Sequence, residues 1–342
     1  MSGGVDSSVA ASLLMEQGYE VAGATMLLLP DDFERVDKTR AIAESLGIDF
    51  YVFDFIDDFK REIINDFAAT YMRGETPNPC VLCNQKFKFG RFLRKALSLG
   101  YDYIATGHYA SVSFDGRYHL KKSQNAKKDQ SYFVYGLTQS ELKHVVFPLE
   151  NMADKDEIRA IAEANGLDNA KSKDSQDICF VKNGAYLDVV DKVAAELGMK
   201  RFPGIFVDTD GRILGENPGI ERYTIGQRKG VGIALGGEKP SYVIAKDSEK
   251  HAVVMGDDSL LYKEKATVKN VTFTGGVEIG YEFEAEVKTR FAQKTIASKV
   301  VYNPERKIAT VYFESPVRAI TPGQYAVFYA GEEVLGGGVI VD

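Results

Sequence analysis

The chain has 342 residues, of which 44% are hydrophobic, 27% charged and 11% aromatic, and its formal net charge is −7. Such a chain is too long for one hydrophobic core, and its composition excludes a disordered or fibrous protein. It contains no apolar run near the roughly 20 residues of a membrane span and no signal-peptide pattern, so we expect a cytoplasmic protein without a membrane partner. The acidic total means that a nucleic-acid partner requires local basic patches.

The first half of the chain alternates helical and strand-like patterns. Helices are predicted over 7–17, 34–46, 59–72 and 87–99, and strands over 21–29, 50–55 and 103–106. Gly18 and Gly47 are placed to end the first two helices. This alternation predicts an α/β domain built on a doubly wound parallel sheet.

The second half has a different pattern. After a predicted helix over 186–197 come short strands with turns at 208–211 and 236–237, and from Ala266 onward the alternation at 283–291 and 307–313 is that of strands. We therefore expect three domains. They are an α/β domain over 1–184, a small mixed central domain over 185–258 and a C-terminal β-barrel over 259–342.

The segment Ser2-Gly3-Gly4-Val5-Asp6-Ser7-Ser8 leads directly into the first helix. Its glycines let the backbone approach an anion, and the helix N-terminus favours a phosphate there. The alternative is a glycine-rich turn before a capped helix. The loop resembles that of the PP-loop ATP pyrophosphatases, in which it holds the pyrophosphate end of ATP while the α phosphate is transferred to a carbonyl oxygen.

Three cysteines, Cys80, Cys83 and Cys179, are too few for a disulfide scaffold. The segment 76–84 predicts a rigid turn between two helices, with Asn84 as an N-cap, so Cys83 would lie at a helix N-terminus that favours its thiolate. Cys179 lies in a polar loop, and a buried structural thiol is its alternative interpretation. Structural zinc is not favoured, because the histidines form no ligand-spaced motif with the Cys-x-x-Cys pair.

Together these segments are similar to the tRNA-specific 2-thiouridylase family, through nearly the whole chain. The matching motifs lie at 2–8, 77–84 with Lys88-Phe89, 105–109, 128–133, 174–180, 226–230, 288–290, 321–324 and 336–338.

The resemblance implies a reaction in which ATP, expected with Mg²⁺, adenylates the C2 oxygen of the wobble uridine at tRNA position 34. Persulfide-derived sulfur then replaces that oxygen, giving 2-thiouridine, AMP and pyrophosphate; it attacks C2 either directly from the persulfide or after Cys83 releases it as sulfide. The resemblance assigns the persulfide to Cys179 and the partner thiol to Cys83. After sulfur transfer, a disulfide between these two residues remains and must be reduced. The implied partners are the anticodon region of tRNA and a persulfide sulfur donor protein.

The resemblance also assigns binding residues. The ATP contacts are Ser2, Gly3, Gly4, Val5, Asp6, Ser7, Met26 and Gly107. The tRNA contacts are Asn78, Pro79, Cys80, His108, Lys128, Asp129, Gln130, Arg290, Phe291 and Gln324. A target base that leaves the anticodon stack needs a cover, for which Phe291 or Tyr109 is available. Local basic groups that could follow phosphates are Lys121, Lys122, Lys127, Lys128, Arg228, Lys229, Lys288, Arg290 and Lys294.

Two features depart from the family pattern. Family members commonly have Asp where this chain has Cys80, so a thiol or a nearby water would take its proton role. Alternatively, Cys80, Cys83 and Cys179 would hold an iron-sulfur cluster, which we do not favour. In addition, related enzymes have an apolar strand before the phosphate loop, whereas only Met1 precedes Ser2 here. The expectation is a sheet with its first strand missing, with weak ATP binding and reduced stability.

Two other functions are compatible with the phosphate loop. One is a PP-loop ligase or amidotransferase acting on a small metabolite, which would leave the cysteines and the β domain without a purpose. The other is a non-catalytic RNA-binding or sulfur-carrier protein that retains the loop.

Overall fold

A computed structural model of the chain describes residues 1–152, 154–167, 169, 177–233, 240–276 and 279–342. The predicted turn at 236–237 and part of the 174–180 motif lie outside these residues. Within the described ranges, no helix is long and apolar enough to cross a membrane.

In the described residues, every α-helix except the last lies in the first half of the chain. They are α1 (Val5–Glu16), α2 (Phe33–Ser45), α3 (Ile56–Phe59), α4 (Asn65–Met72), α5 (Pro79–Cys83), α6 (Leu93–Ser98), α7 (Ser131–Val134), α8 (Gln139–Leu142), α9 (Lys155–Ala164) and α10 (Tyr186–Glu196). π-Helical segments at Lys60–Ile64 and Asn84–Phe92 join α3 to α4 and α5 to α6. Gly18 and Gly47 have φ values of 85° and 68°, which confirms their predicted place at the helix ends.

The expected parallel strands are present in two pairs. β1 (Gly23–Leu27) pairs with β2 (Phe50–Asp54), and β3 (Ile104–Ala105) pairs with β6 (Val145–Val146). The two pairs are separate two-stranded sheets. Met1 lies beside β1, where its amino group donates a hydrogen bond to the carbonyl of Ala24. The α/β fold of this half is confirmed.

The predicted helix over 87–99 begins earlier than the sequence pattern indicated. Asn78 is the N-cap and Pro79 the first helical residue, and the chain stays helical from there to Ser98. Asn84 has helical φ and ψ of −58° and −50°, and its side chain donates to the carbonyl of Phe133 at 2.9 Å instead of capping a helix. The prediction that Asn84 is an N-cap was therefore wrong.

The central part is a four-stranded sheet in the order β8-β7-β10-β9. Its strands are β7 (Gly204–Val207), β8 (Ile213–Asn217), β9 (Tyr242–Asp247) and β10 (Ala252–Gly256). Phe206, Val243, Val253 and Met255 form its buried core.

The C-terminal part is the predicted barrel. Six strands pair in the order β11-β14-β13-β12-β15-β16, and β11 pairs with β16 to close the ring. The strands are β11 (Tyr262–Phe273), β12 (Glu282–Lys288), β13 (Ile296–Asn303), β14 (Ile308–Arg318), β15 (Tyr325–Ala330) and β16 (Glu333–Ile340). Every second side chain of β14 is buried in the barrel core, as the period of two predicts; these are Ala309, Val311 and Phe313.

A hairpin from the first half joins the barrel. β4 (Ala110–Phe114) and β5 (Tyr118–Lys122) extend the barrel sheet, because β5 pairs with β16 at Lys121 and Glu333. Tyr132 and Tyr135 share one buried core with Tyr329 of β15. The barrel and the α/β half are therefore packed as one body along this edge.

Candidate functional site

The glycine-rich loop has the backbone conformation of an anion site. Gly3 has φ of 80°, and Gly4 is the N-cap of α1 without a side-chain cap. The Ser7 hydroxyl donates to the Gly4 carbonyl at 2.9 Å and accepts the Ser2 N–H at 3.0 Å, so the loop is folded on itself. An uncapped N-terminus of a 12-residue helix behind a glycine with positive φ suits a phosphate.

Gly107 lies directly against this loop. A Cβ on Gly107 would be 2.9 Å from both the carbonyl carbon of Asp6 and the nitrogen of Ser7, so only glycine fits. The Asp6 carboxylate accepts the Tyr109 hydroxyl at 3.1 Å and the Lys155 ammonium at 2.6 Å. Tyr109 is only 3% exposed, so the suggestion that it covers a target base was wrong. Its hydroxyl instead holds Asp6 of the phosphate loop.

Arg35 forms the other side of the loop. Its guanidinium donates to the Met26 carbonyl at 2.7 Å and to the Thr25 hydroxyl at 2.9 Å, at the carboxyl end of β1. A cavity of about 280 Å³ lies beside it, lined by Ser2, Gly3, Asp31, Asp32, Glu34, Arg35 and Lys38. Asn169 closes the back of the loop, because its amide donates to the Gly3 carbonyl at 3.0 Å.

The three thiols lie close enough to one another to interact electrostatically. Cys80 and Cys83 are on α5, and the charge of either Cys80 or Cys179 would raise the pKa of Cys83. Cys80 and Cys179 are exposed, whereas Cys83 is 8% exposed. Burial is also the largest cause of the raised pKa of Cys80 and Cys179, because the surrounding protein atoms disfavour the charged form of both thiols.

The predicted thiolate at Cys83 is not found. Because the helix begins at Pro79, Cys83 is past its first turn and packs among Phe67, Phe87 and Phe180. Burial raises the pKa of Cys83 to about 12 and that of Cys179 to about 11. At neutral pH both groups of the free protein are therefore thiols.

Lys88 is the cation that all three thiols share. It lowers the pKa of Cys80, Cys83 and Cys179 against the effect of burial. Positions five apart on an α-helix lie roughly 140° apart around the axis. The π-helical segment Asn84–Phe92, whose hydrogen bonds join residues five apart, turns Lys88 toward the face that carries Cys83.

Lys88 also connects the thiols to the phosphate loop. Its Nζ is 3.3 Å from Nε2 of His108, and Nδ1 of His108 is 2.8 Å from the Thr106 hydroxyl. Since an ammonium only donates, Nε2 accepts and Nδ1 carries the proton of the neutral imidazole. Burial, followed by the charge of Lys88, holds the pKa of His108 well below its usual value. His108 directly follows Gly107, which lies against the phosphate loop. The three cysteines and the loop are therefore neighbours.

We expect Lys88→Gln to move the pH dependence of cysteine alkylation upward by roughly one pH unit, because the thiolates lose a stabilising cation. Below the pKa of each thiol, alkylation is then slower than in the unmodified protein. Rates for each cysteine are measured by peptide mass spectrometry across pH. Lys86→Gln is the matched control, since Lys86 is on the same helix but pairs with Glu62 at 3.5 Å. Identical curves for the two variants would contradict this role.

Several residues assigned to tRNA bind other protein groups here. Asp129 is buried and accepts from Ser123 and Ser131, and Gln130 accepts the N–H of Tyr109 at 3.1 Å. The guanidinium of Arg290 donates to the Ala319 carbonyl at 2.8 Å and also bonds the Thr321 hydroxyl. These side chains hold segments of the site together.

One aromatic residue assigned to tRNA keeps an exposed ring. Phe291 is 38% exposed and its ring is tilted against that of Phe133 at a centroid distance of 4.4 Å, with the Lys288 ammonium 5.3 Å from the Phe291 ring. Phe133 is joined to the cysteine helix through Asn84. A ring and a cation at this place suit a base and its phosphate.

Comparison with known proteins identifies the family. The sequence model of the tRNA methyl transferase HUP domain matches residues 1–183, that of the tRNA methyl transferase PRC-barrel domain 191–257 and that of the aminomethyltransferase beta-barrel domain 263–340. The chain is 46% identical to the tRNA-specific 2-thiouridylase MnmA of Acetivibrio thermocellus, over 99% of this chain and 97% of that protein. The chain belongs to the tRNA-specific 2-thiouridylase family. It is also 44% identical to the 2-thiouridylase of Moorella thermoacetica and 43% identical to that of Clostridioides difficile, each over 99% of this chain and 98% and 96% of those proteins.

Sequence reasoning about this 2-thiouridylase family member missed four supporting residues. Lys155 and Asn169 hold the phosphate loop, and Arg35 lines the cavity beside it. Lys88, although part of a matching motif, received no role. Lys155 contacts a residue 149 positions away and Asn169 one 166 positions away, so no local pattern marks them.

Proposed function

We propose that the chain is an ATP-dependent tRNA sulfurtransferase that converts the wobble uridine of tRNA to 2-thiouridine. This proposal rests on one observation: the three thiols are connected to the phosphate loop through Lys88, His108 and Gly107. An activated oxygen and a sulfur nucleophile can then meet at one base. The domain over 1–184 supplies the catalytic site. The tRNA is contacted by the two other domains, over 185–258 and 259–342.

The first step uses the phosphate loop. ATP is bound by residues 2–7, Met26 and Gly107. The C2 oxygen of uridine attacks the α phosphorus of ATP, and pyrophosphate leaves. Mg²⁺ would reach the site with ATP, held by phosphate oxygens and water, as is usual for this ion. In the part of the chain that the structure describes, no three His, Cys, Asp or Glu side chains are placed to hold a metal ion.

The second step uses the thiols. The terminal sulfur of a Cys179 persulfide, supplied by a donor protein, attacks C2 and AMP leaves. Cys83 then loses its proton, and its sulfur attacks Sγ of Cys179. The sulfur-sulfur bond breaks, and the outer sulfur stays on C2. A Cys83–Cys179 disulfide remains, and an external thiol must reduce it. Phe291 would cover the flipped base while His108, Asn78, Pro79 and Lys128 contact the tRNA anticodon region.

Pyrophosphate exchange into ATP separates this function from the alternatives. Exchange that depends on unmodified tRNA supports the proposal. Exchange that depends on a small metabolite supports a ligase or amidotransferase, and an absence of exchange with intact tRNA binding supports a binding or carrier protein. The connection of the thiols to the phosphate loop through Lys88 and His108 favours the first outcome.

Cys80→Asp tests what the unusual cysteine does. If Cys80 handles a proton or only shapes the loop, the variant keeps substantial thiolation activity and the purified protein is colourless. An iron-sulfur cluster held by Cys80, Cys83 and Cys179 predicts instead a loss of activity and a brown anaerobic preparation. We expect the first result. Stoichiometric iron and sulfide in active, unmodified enzyme would overturn it.

A further inference from the structure

The barrel touches the chain immediately before the cysteine helix. The backbone N–H of Thr76 donates to the Pro322 carbonyl at 2.8 Å. The Gln324 side-chain amide donates to the Thr76 carbonyl at 2.9 Å and to the Pro77 carbonyl at 3.3 Å. Three hydrogen bonds thus join one loop of the barrel to two consecutive residues.

This barrel loop is itself firmly held. The Gly323 N–H donates to the Ile340 carbonyl at 2.9 Å, and the Ile340 N–H returns a bond to Gln324 at 2.8 Å. Gly323 has φ of 89°, and a Cβ there would lie 2.8 to 3.0 Å from three backbone atoms of Thr76. The two segments are therefore in direct contact, with no room for a side chain between them.

The segment that the barrel holds determines where the thiols lie. Asn78 and Pro79 begin α5 directly after Pro77, and Cys80 and Cys83 follow on that helix. Tyr132 makes a second connection, since its hydroxyl donates to the Tyr325 carbonyl of β15 at 3.0 Å and also bonds the Asn78 side chain. A displacement of the barrel loop would move the first turn of the helix.

We propose that Gly323 and Gln324 are positioning residues for Cys80 and Cys83, so that the C-terminal barrel is part of the active site before tRNA binds. The consequence for sulfur transfer rests on the proposed function, but the positioning itself does not. It differs from the tRNA contact implied by resemblance, because the Gln324 amide donates to the protein's own backbone.

The test compares Gln324→Ala and Gly323→Ala with Gly331→Ala. Gly331 is the matched control, because it lies in the turn between β15 and β16 of the same barrel and, like Gly323, has a positive φ, here 59°, but has nothing within 4 Å of an added Cβ. Alkylation of each cysteine by iodoacetamide is measured by peptide mass spectrometry in the full chain without ATP or tRNA. Thermal unfolding is recorded for each variant.

We expect Cys83 to be alkylated about tenfold faster in Gln324→Ala, the factor that the loss of two ordinary hydrogen bonds gives. Cys179, on another segment, keeps its rate and serves as the internal reference, and Gly331→Ala matches the unmodified protein. In thiolation assays kcat falls while the KM for tRNA stays constant. If the protein does not thiolate tRNA, the change in kcat cannot be observed, but the faster alkylation of Cys83 in Gln324→Ala is still expected.

Two outcomes would overturn the inference. Unchanged alkylation of Cys83 in Gln324→Ala, with a raised KM for tRNA, would make Gln324 a tRNA contact only. Faster alkylation of Cys83 and Cys179 together, with a lower melting temperature, would mean general destabilisation.

Discussion

Cys179→Ser and Cys83→Ser each reduce the formation of 2-thiouridine by at least about 10³-fold, because each removes a sulfur that makes or breaks a bond. Binding of ATP and tRNA is expected to be largely unchanged, since phosphate binding does not need either thiol. Mass spectrometry of the wobble nucleoside measures the product, and titration calorimetry measures the two affinities.

The two cysteine variants need different controls. Cys179 is exposed, so its replacement by Ser leaves the core intact, whereas Cys83 lies among aromatic rings and a buried hydroxyl there is costly. Cys83→Ala, with its melting temperature recorded, separates lost chemistry from lost packing. Full thiolation by any of these variants would remove that cysteine from the mechanism.

Gly107→Ala is expected to weaken ATP binding by roughly 10- to 100-fold, because a Cβ would press on Asp6 and Ser7 of the phosphate loop. The loop has little freedom to retreat, since Tyr109 and Lys155 both hold the Asp6 carboxylate. ATP affinity is measured by titration calorimetry with Mg²⁺ present.

Gly280→Ala is the control for this substitution. A Cβ on Gly280 would lie at an ordinary van der Waals distance of 3.6 Å from the Glu282 carbonyl oxygen. Its ATP affinity should equal that of the unmodified protein. Equal affinities for Gly107→Ala and Gly280→Ala would show that the close approach of Gly107 does not shape the nucleotide site.

Features with a local sequence signal were predicted correctly. The glycine ends of α1 and α2 follow from residues a few positions apart, and the strand alternation of β14 follows from its period of two. The phosphate loop precedes a helix, as its composition indicated.

Features that depend on distant residues were missed or misread. The start of α5 at Pro79 carried the ordinary signal of proline in the first turn, but the paired prolines around Asn78 were interpreted as a turn. The thiolate expected at Cys83 fails because Phe67 and Phe180, far away in sequence, bury it. The π-helical segment that turns Lys88 toward the thiols has no signal that the pattern of apolar residues shows.

The central claim is that a nucleotide-activated oxygen leaves and sulfur enters at the same carbon atom. Unmodified tRNA carrying ¹⁸O at C2 of its wobble uridine is incubated with the protein, ATP and a persulfide donor, and the products are analysed by mass spectrometry. The account predicts that each 2-thiouridine formed is accompanied by one AMP that carries the ¹⁸O, with unlabelled pyrophosphate. Thiolation with unlabelled AMP, or thiolation without ATP, would contradict it.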